Sequence, residues 1–158
     1  MRYLVTDDQV IHFKKEGLIE LVGLKVDLLV PKSTHSHFNL IQRDPHLKEQ
    51  IKKAHLEKIA MQMTKKRQLS LIYDCLLPKG LYSLKKNASA TRLECAFLIC
   101  LETQQLFLVG WHHEMLIESS YFLIAYGTPP CRYKKNPEDP YQNALKEFGF
   151  GYGDAIQY

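Results

Sequence analysis

Two imidazoles and a carboxylate stand together in Trp111-His112-His113-Glu114. In an extended segment His112 and Glu114 share one face while His113 points away, because side chains alternate across a strand. One imidazole and one carboxylate are two members of a facial triad, the donor set that leaves open positions on iron(II). No histidine follows His113, so a third ligand would have to come from Cys131, Asp139 or a loop histidine. His35-Ser36-His37 places two more imidazoles at i and i+2. They lie in a polar stretch, 32–43, and a loop offers a metal no preorganisation, so the expectation there is a pair of solvated histidines. Cys75, Cys95, Cys100 and Cys131 include no CxxC pair, which argues against a zinc ribbon or a thioredoxin-type site.

The quartet falls between the second and third of three apolar runs, 93–101, 105–111 and 115–126. Short polar links such as Glu102-Thr103-Gln104 join them, and short links favour antiparallel, meandering strands. Upstream, Thr6-Asp7-Asp8-Gln9 is a capping box that starts a helix with Val10 and Phe13 inward, ending at Gly17. A strand follows at 18–22, while 24–30 reads equally as strand or short helix. Asp44-Pro45 then opens a helix over 45–65, with Leu47, Ile51, Ala54, Ile59 and Met63 on its apolar face. His46 and His55 fall on or near its solvated side.

Lys65-Lys66-Arg67 suits the negative end of that helix dipole. Residues 68–77 form a strand with Leu69, Leu71 and Tyr73 on one face, and 85–92 is a loop. Asp139-Pro140 repeats the helix-start signal for a short helix through Leu145 and Phe148 to Gly149. The glycine alternation after it, Gly149 to Asp154, follows a helix instead of linking a strand to one, so it does not read as a phosphate cradle.

The elements add up to an α+β chain forming one domain over 1–158. With 46% apolar residues it can bury a real core, and a formal charge of +4 permits a polyanion partner without demanding one. The start, MRYLVTDDQV, lacks the pattern of a secretion signal, and the apolar runs fall short of the ~20 residues of a membrane helix. A cytoplasmic protein with no membrane partner is the expectation.

Three segments resemble the phytanoyl-CoA hydroxylase branch of the iron(II) and 2-oxoglutarate-dependent dioxygenases. They are VTDDQVIHFKKEGLIEL, RQLSLIYDCLLPKG and SSYFLIAYGTPPCRYKKNPEDPYQNALKEFGFGYGDAI, in the family's order and covering about half the chain. Size and layout are also similar to small chlamydial proteins described as divalent-cation-dependent regulators. The first resemblance implies a double-stranded β-helix, a jelly-roll or cupin-like core with flanking helices. It also implies iron held by His-x-Asp/Glu and a later His, with an Arg clamping 2-oxoglutarate.

On this chain His112 and Glu114 match the His-x-acid pair and Arg132 takes the place of the clamp. The stretch after Asp74 where the family carries its first ligands has no histidine, and the later histidine is missing. The resulting expectation is a non-catalytic protein without metal or cofactor, binding a small molecule or a protein partner. Phe97, Phe107 and Phe122 are the large side chains expected to fill the vacated space. Two alternatives stand beside it. One is a metal-responsive DNA-binding regulator using Lys65-Lys66-Arg67, Lys134-Lys135, His35, His37, His112 and His113, although no helix-turn-helix is legible. The other is an active iron(II) and 2-oxoglutarate-dependent oxygenase with non-standard ligands.

Overall fold

The computed structural model describes residues 3–24, 26 and 38–158. Most of the segment 24–30 and both loop histidines, His35 and His37, lie outside the described residues. Helix α1, Asp7–Glu16, carries the expected capping box: the Gln9 N–H donates to Thr6 Oγ1 at 3.2 Å and the Thr6 N–H donates to Gln9 Oε1 at 2.9 Å. Gly17 ends it in the left-handed region at φ 73°. Strand β1, Leu18–Glu20, follows directly.

The strands β2 (Ser70–Leu76), β4 (Leu93–Cys100), β5 (Leu106–Gly110) and β7 (Tyr121–Gly127) join β1 in an antiparallel sheet of order β1-β5-β4-β7-β2. A second, two-stranded antiparallel sheet pairs β3 (Gly80–Tyr82) with β6 (Met115–Ile117). The run 115–126 is therefore two strands in two sheets, not one. The reason lies in β5, whose free edge is already occupied by β1 through Leu18↔Val109 and Ile19↔Leu108. The chain leaves the large sheet as β6 and returns as β7 between β4 and β2.

The expected helix over 45–65 is also two, α3 (Pro45–Lys53) and α4 (Leu56–Thr64), preceded by the short α2 (Leu40–Arg43). In one continuous helix Leu56 would lie roughly 140° round the axis from Ile51, out of phase with the buried stripe. His55 at φ 55° breaks the helix and resets the phase, so that Leu47 and Ile51 on α3 and Leu56, Ile59, Ala60 and Met63 on α4 are all buried. A short helix, α5 (Leu84–Asn87), capped by Ser83, occupies what reads as loop. The Asp139-Pro140 signal produces a turn, and regular structure begins only with a 3-10 helix over Ala144–Phe148.

The large sheet separates two cores. Phe97 and Ile99 of β4, and Phe122, Ile124 and Tyr126 of β7, face the helices. Ala96, Leu98, Leu123 and Ala125 face the opposite way, toward the small sheet, from which Tyr82 and Ile117 point in. Burial on both faces is why these strands read as continuous apolar runs. In β2 the register shifts between Leu71 and Tyr73, so Leu71 packs toward the helices while Ile72 and Tyr73 both enter the second core. That bulge overturns the expectation that Leu71 and Tyr73 share a face. Among the described residues no helix is long and apolar enough to cross a membrane.

Candidate functional site

His112 and Glu114 lie in the turn between β5 and β6, and both are exposed. The Glu114 carboxylate accepts a hydrogen bond from Lys86 Nζ at 2.7 Å, and the same contact raises the Lys86 amine above its ordinary pKa. The His112 ring meets Trp111 edge-on at 6.5 Å. His113 is half-buried and packs at Gly17, where a Cβ would lie 3.4 Å from its own. A shallow surface groove of about 410 Å3 runs between this turn and the end of α1, with Lys14, Lys15 and Glu16 on its far wall.

The other expected site residues are occupied in place. The exposed Arg132 donates from Nη1 to the Gly153 carbonyl at 2.9 Å and from its backbone N–H to Thr91 Oγ1 at 2.8 Å. Cys131 Sγ sits against the carbonyls of Thr128 and Arg92, and burial pushes its thiol up to about 11. The buried Asp139 carboxylate accepts from Ser89 Oγ at 2.6 Å and from the Tyr141 N–H at 2.7 Å, and burial raises its pKa. Lys66 pairs with Glu94 at 3.6 Å, and Lys134 lies over the Trp111 ring at 5.8 Å.

Hydrogen bonds, ion pairs and ring contacts link none of His112, Glu114 and Arg132 to one another. Among the described residues there is no group of three or more His, Cys, Asp and Glu side chains placed to hold a metal. The donor set that iron(II) with 2-oxoglutarate requires is not assembled by these residues.

Among the described residues, aromatic side chains pack into the space between the two sheets. Phe38 stacks on Tyr73 at 5.2 Å, and the Tyr73 and Tyr82 hydroxyls lie 3.2 Å apart. Tyr133 and Leu84 are buried beside them, and the Tyr141 hydroxyl donates to the Leu76 carbonyl at 2.5 Å. Phe97 and Phe122, expected in this space, turn to the helix side, whereas Phe107 does pack against the inter-sheet core.

One buried charge-bearing group went unremarked in the sequence. Asp74 Oδ1 accepts from the Leu40 N–H at 2.7 Å and Oδ2 from the Ile41 N–H at 3.2 Å, capping α2 from the neighbouring strand. Burial raises its pKa to about 7 against the opposing pull of those two N–H groups and of Arg43. The Asn39 N–H donates to the Asp74 carbonyl at 2.7 Å, and Asn39 Nδ2 donates to the Tyr158 hydroxyl, which in turn donates to the Ile72 carbonyl. A lone acid inside the apolar run Ile72-Tyr73-Asp74-Cys75-Leu76-Leu77 was the available signal.

Two clefts adjoin along strand β2, the first of them on the helix side. One, of about 530 Å3, opens between α3, α4 and strands β2 and β7; the other, of about 480 Å3, continues past Ser70 and Pro129 toward Tyr158. Gln42, Lys48 and Leu71 line both.

No protein-family model matches this chain, and no curated protein matches it significantly. Solved structures do. The 1.8 Å structure of CT296 from Chlamydia trachomatis is 17% identical, with a TM-score of 0.58 over 81% of this chain and 98% of that one. A 2.5 Å structure of selenomethionine-labelled CT296 gives 16% identity and a TM-score of 0.56. The non-heme alpha-ketoglutarate-dependent carbocyclase SnoK from nogalamycin biosynthesis is 9% identical, with a TM-score of 0.73 over 98% of this chain and 94% of that one. At these identities the likeness is one of fold, and the fold is dioxygenase-like.

Proposed function

We propose that this chain is a non-catalytic binding protein on a reduced double-stranded β-helix, the phytanoyl-CoA hydroxylase-like branch being the one its motifs resemble. The observation that carries this reading is the packing between the sheets. Phe38, Tyr73, Tyr82, Leu84 and Tyr133 are buried in the layer where a dioxygenase of this fold would keep its reacting centre. Interiors are close-packed, so among the described residues a substrate in this layer would have to displace several of these aromatic side chains. The engagement of Glu114 by Lys86 and of Arg132 by Gly153 supports it further. Fold alone assigns no activity, and the argument rests on these residues.

The reading is tested by reconstituting the purified protein with iron(II) and 2-oxoglutarate under anaerobic conditions. Well under one equivalent of iron per chain should remain after desalting, with no change on His112→Ala. One retained equivalent that His112→Ala removes would sink the proposal and restore the oxygenase.

A further inference from the structure

The cleft of about 530 Å3 is of a size ordinarily seen for small-molecule sites, and it lies on the helix side of the sheet, away from the inter-sheet layer. Ile51, Leu56, Met61 and Leu71 make its apolar wall. Lys48, Lys52 and Lys58 stand around it, all exposed, and none has an ion-pair partner among the described residues. On an ordinary solvated helix face such lysines are offset by carboxylates one turn away, as Lys53 is by Glu49 at 3.8 Å. Here the single lining carboxylate is Glu57, against three lysines.

A second observation points to a ligand. Tyr126 is 2% exposed, lines this cleft, and its hydroxyl has no hydrogen-bond partner among the described residues. It is not sealed in the protein either: among the described residues, the sealed, unpartnered side-chain oxygen is Gln50 Oε1. A buried hydroxyl normally finds a partner, so this one is a donor left available at the cleft. Burial, with Glu57 nearby, keeps it protonated.

We propose that this cleft binds a small amphipathic anion, with its carboxylate or phosphate head held by Lys48, Lys52, Lys58 and the Tyr126 hydroxyl. The apolar body lies over Leu56, Met61 and Leu71, and a longer one continues into the adjoining cleft along Leu71 and Pro129. This deepens the non-catalytic binding reading and rests on it. The ligand is bound on the far side of the sheet from any dioxygenase-type centre, so no reaction is implied.

Calorimetric titration of the full chain, below micelle concentrations, tests it with dodecanoate, dodecyl phosphate and dodecyltrimethylammonium. One or both anions should bind one per chain and saturably, and binding by only one names the head group. The cation of equal tail length should bind at least tenfold more weakly. Lys48→Gln with Lys52→Gln and Lys58→Gln should weaken anion binding tenfold or more, and Tyr126→Phe severalfold, with unfolding temperatures that show each variant folded. Should the triple variant not fold, Met61→Glu, which puts a carboxylate on the apolar wall, must give a comparable loss. Equal affinity for the cation, or anion binding unchanged in the lysine and Met61 variants, overturns the proposal. Absent anion binding in a protein that also retains no iron removes this site alone, whereas iron retention lost in His112→Ala removes the non-catalytic reading whatever the cleft does.

Discussion

Replacing Asp74 by Asn should make the protein more stable at pH 8 and change little at pH 4. Asp74 is buried, with a pKa of about 7 in place of 3.8. Between those two values the folded chain holds a proton that the unfolded chain has released. The stability this group contributes is thus fully present below about pH 4, falls as pH rises, and is gone above about pH 7. The difference between 3.8 and about 7 corresponds to a ceiling of about 4 kcal/mol. An Asn at this position cannot ionise, yet its oxygen can still accept from the Leu40 N–H, now 2.7 Å from Oδ1. It imitates the protonated acid. The hydrogen bonds from the Leu40 and Ile41 N–H groups already act within that pKa, so the expected gain at pH 8 approaches the ceiling of about 4 kcal/mol. Urea unfolding followed by the fluorescence of Trp111, the single tryptophan, gives the difference between variant and wild type at each pH from 4 to 8. Taking the difference isolates Asp74 from other titrating groups such as Asp139. A difference that stays flat across this range, or a variant less stable than wild type at pH 8, would refute the reasoning.

Two further substitutions probe the fold. Gly127→Ala would place a Cβ 2.5 Å from Cys131 Sγ and 2.8 Å from the Arg92 carbonyl oxygen, which is backbone and cannot swing away. A loss of about 3 kcal/mol and a melting temperature lower by about 10 °C are expected by calorimetry, and an unchanged melting point would contradict the packing described. His55→Gly should raise stability by about 0.5 kcal/mol, because the φ of 55° at the α3–α4 junction strains any L side chain. A fall in the urea midpoint would mean that the imidazole contributes more than its backbone strain costs.

Much of the architecture was legible where the rule is local. The Thr6 cap, the Gly17 terminator, the Asp44-Pro45 start and four of the large-sheet strands, β1, β2, β4 and β5, follow from a few adjacent residues. What escaped the sequence depends on partners far away in the chain. The split of 115–126 is dictated by β1 occupying the edge of β5, and the bulge after Leu71 by the register of β7. The helix break at His55 was visible only as Leu56 falling out of phase with Ile51. For the site, the donor types of His112 and Glu114 were plain, but nothing near Glu114 announced Lys86, which α5 delivers across the surface. The cleft was hidden for the same reason. Lys48, Lys52 and Lys58 read as a solvated face, and only the tertiary packing sets them round Tyr126.

The pairing order of the large sheet also bears on how the chain is made. Strands β4, β5 and β7 are close in sequence, within residues 93–127, whereas among the described strands β1 pairs with β5 and β2 with β7, apart from a single bridge between Phe38 and Cys75 of β2. Both outer strands therefore leave the ribosome before these strand partners exist. Until β5 emerges, β1 lacks that partner, and β2 lacks β7. During that interval the helices can form locally but have no sheet to cover, so Leu56, Ile59 and Met63 stay open to other hydrophobic surfaces. The risk of misassembly during synthesis is concentrated in this window and ends when a single late segment of the chain supplies the centre for everything already made.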